Sequence, residues 1–382
     1  MAGETFRERF LTVYAGGQPA RVPNCELGYF EQTWERFVRE GLPAAIPMKP
    51  VETGTAEDFR WTRNSREAAE FFGLESHDYI PNLRGVSSGP VPGVKAVRRD
   101  ERGEDVFEWY DDGSMIHWKA PYRGVRAMLT PPVRDRASWE ATRKRFDPTA
   151  PERVPPANDP RWDAYRRRDY PLQWQFNGFF WKMREWMEVE GFCMAIHDEP
   201  ALVEEMLETW CDFLEGLARR VLERVQPDMV IYREDLAGRN GPMVSPAFIR
   251  RAFGPRYRRL NDIFERAGVP VIMVDSDGLV DPVVGVLLDA GITGLTPWEI
   301  QAGTDPVAVA KRYPSLGLIG AVNKLELAKG RRAIDAELAR HVAPLLERSR
   351  YLPTVDHLLH EDVSLANYQY YLERKARLLE RG

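Results

Sequence analysis

From residue 170 onward the 382-residue chain alternates short apolar runs with longer amphipathic stretches, and this alternation restricts its fold more than any other feature. The runs PLQWQF (171–176), DMVIY (228–232), VPVIMV (269–274), ITGLT (292–296), LGLIGAV (316–322) and YLPTVD (351–356) have strand length and β-branched or aromatic content. Between them lie helix-length segments. In 198–225 Asp198 is placed to cap and Pro200 falls in the first turn, while 245–268 opens on Ser245-Pro246, closes on Gly268 and is divided at Gly254-Pro255. Strand–helix–strand repetition predicts a parallel sheet. Two upstream runs, 21–28 and 125–133, bring the strands to eight and predict one (β/α)8 TIM barrel over residues 1–382 as a single domain. Residues 105–120, DVFEWYDDGSMIHWKA, predict an inserted β-hairpin turning at Asp111-Asp112-Gly113, and 147–160 is a Pro-rich connector.

The net charge of −5, with no basic tract longer than RRR at 166–168, points away from nucleic acid as a partner, although a local arginine cluster would still suit an anionic small molecule. Cys25, Cys193 and Cys211 are few and widely spaced, so neither a disulfide framework nor a thiolate zinc cage is expected. The first residues contain no apolar signal-like core, and no window approaches the ~18 apolar residues of a membrane span. A cytoplasmic protein is expected.

In barrels of this kind the acting residues stand where strands run out into loops at one mouth. Here Arg233, Glu234 and Asp235 follow 228–232, and Asp275 and Asp277 follow 269–274. Glu299 follows 292–296, Asn323 and Lys324 follow 316–322, and Asp356, His357 and His360 come with 351–356. A cap or a loop salt bridge accounts for each one singly; five successive strand ends delivering charge to one side predict a site. Side chains two apart in extended chain point the same way, so Asp275 and Asp277 can meet one ligand, and without a counter-charge one of them keeps its proton. With His357 they offer an oxygen/nitrogen set for a divalent metal, zinc or harder. Glu234, Asp235, Glu299 and His357 are the acid/base candidates. Arg184, Asn177, Asn323 and Lys324 are the candidates for holding substrate, with Arg184 also placed to pair with Glu188.

The blocks RVPNCELGYFEQTWERFVREGLP (21–43), NGPMVSPAFIRRAFGPRYRRL (240–260), VDSDGLVDPVVGVLLDAGITGLTPWE (274–299), GAVNKLELAKG (320–330) and DHLLHEDVSLANYQYY (356–371) together resemble the uroporphyrinogen decarboxylase superfamily, in order and over nearly the whole chain. That superfamily also contains corrinoid-type methyltransferases. The resemblance implies a barrel, a homodimer, and an enzyme that transfers a one-carbon unit with a corrinoid (cobalamin) protein or folate as partner. It leaves open a decarboxylase of a tetrapyrrolic or small carboxylic acid, and a tetrapyrrole-binding barrel without turnover. The chain departs from both patterns. Residues 24–32, NCELGYFEQ, lack the arginine loop that grips uroporphyrinogen, and Asp275-Ser276-Asp277-Gly278 stands where the methyltransferases carry their zinc-binding His-x-Cys-Gly. His357 falls where the resemblance places a C-terminal histidine, or in the methyltransferases a cysteine.

Overall fold

The computed structural model describes residues 3–50, 61–75, 80–119 and 122–380. All six runs from 170 onward form strands of one parallel sheet: β1 (Gln173–Asn177), β2 (Met229–Arg233), β3 (Val271–Asp275), β4 (Gly294–Trp298), β5 (Gly317–Val322) and β6 (Tyr351–Val355). They pair strictly in chain order, each with the next. Met229–Tyr232, Val271–Val274 and all of β5 and β6 are buried, because helices cover the sheet and the strands must read as apolar.

The two upstream strands expected to complete eight do not join this sheet. Residues 21–28 run beside β6 without forming a ladder, and the Glu26 carboxylate accepts the Val355 N–H at 3.0 Å where a neighbouring strand would have offered a carbonyl. Residues 122–130 form the last strand of a separate four-stranded antiparallel sheet that includes the expected hairpin, 105–110 with 115–119. Alongside β1, residues 81–83 bond to Gln173 in both directions through one bridge. The described residues therefore give a six-stranded parallel sheet with flanking segments at both edges.

The helix boundaries follow local chemistry, with one exception to expectation. Ser245 caps the helical stretch after β2 by accepting the Phe248 N–H, and a wide π turn at Ile249–Phe253 precedes Gly254-Pro255, where proline removes a backbone donor. Asp198, by contrast, ends the Val189–Asp198 helix; Glu199 precedes the Pro200–Leu222 helix and gives it no side-chain cap. The Pro-rich connector is pinned by buried Arg153, which donates to the carbonyls of Asp147, Gly89 and Arg145. At the chain's end, Leu365–Leu379 packs Tyr368 and Tyr371 inward, and its buried Lys375 pairs with Glu26. No helix among the described residues is long and apolar enough to cross a membrane.

Candidate active site at the strand ends

Polar residues of the sheet gather toward the C-terminal strand ends. Along β1, β2 and β3 the partly exposed residues are Gln175, Asn177, Arg233 and Asp275, and the last three occupy one register row at the C-terminal ends. Side chains in register across parallel strands share a face, and the Gln175 amide donates to Asp275 Oδ2 at 3.3 Å on that face.

The loops after β2 and β3 are held together by backbone. Both Glu234 and Asp235 N–H groups donate to the Asp275 carbonyl, and Leu236 N–H donates to Ser276 Oγ at 2.8 Å. Asp235 sits at φ 47°, a left-handed conformation that Asp tolerates better than most residues. Gly278 is required where these loops cross: a Cβ there would lie 2.5 Å from the Ala237 carbonyl oxygen. Its N–H donates to Glu299 Oε2 at 3.0 Å, which fastens the Asp277 loop to the end of β4.

The charged groups fall into two sets. On one side Arg184 pairs with Asp235 at 3.1 Å, and the guanidiniums of Arg184 and Arg233 both lie on the Trp181 ring, 3.9 and 4.4 Å from its centre. On the other side buried Lys324 lies 3.4 Å from Asp356 and 3.6 Å from Glu299. Asp356 also accepts N–H groups from Lys324 and Ile300. His357 Nε2 stands 3.7 Å from Asp277 Oδ2, between these sets.

Burial in this acidic neighbourhood raises the carboxyl pKa values. Asp275 is pushed up to about 7, by desolvation first and then by the Asp235 charge. Asp277 is pushed up to about 8, by desolvation and then by Asp235, Glu299 and Asp275, with Lys324 opposing. Asp277 remains 40% exposed at its side chain, so protons can reach it, while its Oδ1 is buried without a hydrogen-bond partner. Asp356 rises to about 6 through desolvation, held back by Lys324. His357 is lowered to about 4, by desolvation and then by Lys324, and is neutral at pH 7. Near neutrality the mouth thus holds proton donors beside a neutral imidazole, an arrangement suited to acid/base work.

Several expected residues have other duties. Glu234 is fully buried and caps the Phe179–Met187 helix, accepting from Phe179 and Phe180 N–H at 2.7 Å, from Trp181 N–H at 3.2 Å and from the Tyr257 hydroxyl, so it leaves the acid/base set. Gly178 makes this cap possible, since a Cβ there would lie 2.0 Å from Glu234 Oε1. Asn323 is likewise a cap, accepting the Leu325 N–H at 3.0 Å, and Asn177 donates to Glu185. Arg184 pairs with Asp235 rather than Glu188, whose carboxylate accepts the Glu190 N–H. Asp275, Asp277 and His357 are not gathered as a ligand set: among the described residues no group of three or more His, Cys, Asp or Glu is arranged to hold a metal. Arg233, noted in sequence only as a strand-end residue, belongs to the site by its place in the open row.

What the fold and the rim define together is an α/β protein with a parallel sheet and an acidic, arginine-lined mouth. No family model and no curated protein matches the chain. Among solved structures it is similar to a methyltransferase from Methanosarcina mazei, with TM-score 0.56, 14% identity and 98% of each chain covered, a likeness of fold. A weaker similarity, TM-score 0.34 at 8% identity over 58% of this chain and 68% of the other, is to a putative vitamin-B12 independent methionine synthase from Listeria monocytogenes and carries no argument.

Proposed function

We propose that the chain is a methyltransferase that moves a one-carbon unit at the mouth formed by the C-terminal ends of β1–β6. The observation that carries this reading is the Asp275–Asp277 pair with raised pKa values beside neutral His357, on a fold shared end to end with a methyltransferase. In the step, the acceptor atom forms its bond to the methyl carbon as the donor bond breaks with its electron pair staying on the donor. The acceptor's proton passes to whichever carboxylate of the pair is ionised. Glu299 holds the Asp277 loop through Gly278, and Lys324 offsets the charge that Asp356 and Glu299 add.

The finer reading is of an atypical member of the uroporphyrinogen decarboxylase superfamily, its barrel closed by the segments flanking β1 and β6. It would act in the cytoplasm as a homodimer on a small molecule, with a corrinoid protein or a folate as methyl source. The raised pKa values of Asp275 and Asp277 beside neutral His357 support a reading in which carboxylates transfer the proton. The test is methyl transfer from methylcobalamin or methyltetrahydrofolate, followed spectrophotometrically with a panel of acceptors and with elemental analysis of the same sample. Turnover without stoichiometric zinc supports the reading; no demethylation of either donor overturns it.

A further inference from the structure

We infer that Arg233 is the anchor for a carboxylate on the substrate, an assignment that rests on the mouth being the reaction site. The cations at this rim are not equivalent. Arg184 is already paired with Asp235, and Lys324 is committed to Asp356, Glu299 and the Gln301 side-chain oxygen. The guanidinium of Arg233 makes no hydrogen bond and no ion pair among the described residues; it rests on the Trp181 ring, with the Glu185 and Asp275 carboxyls close enough to feel its charge. Its strand position is the open register row, with Asn177 on one side and Asp275 on the other, and the remaining residues of β2 are buried.

A half-buried guanidinium with no protein acceptor keeps its five donors for water or a ligand, while the Asp275 and Glu185 carboxylates act on its charge without bonding to it. The Trp181 face holds the plane of the group by cation–π attraction while leaving its N–H edge free. A planar oxyanion meets such an edge with two parallel hydrogen bonds. The neighbourhood also selects among anions. Asp235 and Asp275 flank Arg233 in the loops and in the row, and both repel added negative charge. A carboxylate brings one charge, which Arg233 balances; a phosphate dianion brings a second, which Arg184 could meet by giving up Asp235. The assignment is therefore to a monoanionic carboxylate. Arg233 is also the charge that opposes the rise of the Asp275 pKa, so an anion seated on it favours the protonated form of the neighbouring acid.

The experiment is calorimetric titration of the full chain at pH 7 with benzoate, with benzamide as its uncharged isostere, and with inorganic phosphate, all without a methyl donor. Benzoate is expected to bind at least about tenfold more tightly than benzamide or phosphate. Arg233→Met should remove that preference, and Arg233→Lys should restore part of it, with melting temperatures confirming that both variants fold. The wild-type comparison needs no variant, so the inference stays testable if Arg233→Met fails to fold. Equal binding of benzoate and benzamide, tighter binding of phosphate, no benzoate binding, or an unchanged benzoate affinity in Arg233→Met each overturn it. Because no donor is present, a negative result here leaves the methyl-transfer reading standing, and failed methyl transfer leaves the carboxylate site standing.

Discussion

Glu234 and Asp277 are both carboxyls close to the end of a strand, and burial raises both, to about 7 and about 8. Their surroundings differ in kind. Glu234 has no exposed surface and receives four hydrogen bonds, three from one helix N-terminus and one from Tyr257. Asp277 keeps 40% of its side chain exposed, has an oxygen with no partner, and faces a neutral histidine. A raised pKa therefore does not by itself mark a working group. Partial exposure beside a second titratable group distinguishes Asp277.

That contrast can be broken at either end. Glu234→Ala should produce the largest loss, about 3 kcal/mol or more by denaturant unfolding, since three helix N–H groups and the Tyr257 hydroxyl lose their acceptor in the core. If its stability stays at the wild-type level, the cap is not structural. Asp277→Asn should keep the fold and lower the rate of methyl transfer by about 10²-fold or more, read from kcat at saturating donor. Gly178→Ala should cost about 1–3 kcal/mol, because its Cβ displaces the Glu234 carboxylate, and the variant should melt lower without any change in donor KM. Asn323→Ala should cost about 1 kcal/mol and leave substrate affinity intact, as expected of a cap and not of a binding residue.

A separate effect is in the pH dependence of stability. The folded pKa values of Asp275 and Asp277 lie above the ordinary aspartate value of 3.8, so the native state binds more protons than the unfolded chain in that interval. Their contribution is fully present below the unfolded value and is lost as pH rises through about 7 and 8. Asp277→Asn removes part of that loss. The variant should melt above wild type at pH 9 and converge with it near pH 4, as scanning calorimetry at the two pH values would register.

The parallel sheet was legible because strands covered on both faces read as near-continuous apolar runs, as β2, β3, β5 and β6 do, and because helix-length segments separate the six runs. The upstream runs misled because 21–28 and 125–133 have strand composition without a sheet edge to complete: Glu26 takes the β6 donor, and 122–130 pairs within the insertion. Strand-end charges pointed to the mouth, yet not to each residue's duty. Glu234 and Asp235 are adjacent in sequence, and only the helix packed against Gly178 decides that one is sealed under it while the other meets Arg184. Arg233 was visible as a strand-end residue; that its guanidinium lacks an acceptor is a fact of packing that no spacing encodes.

The most direct test of the central claim is the rate of methylcobalamin demethylation by wild type and by Asp277→Asn, at pH 7 with matched folded fractions and the acceptor panel present. Turnover is expected in wild type, with a fall of about 10²-fold or more in the variant at an unreduced melting temperature. Equal rates in the two proteins would contradict it.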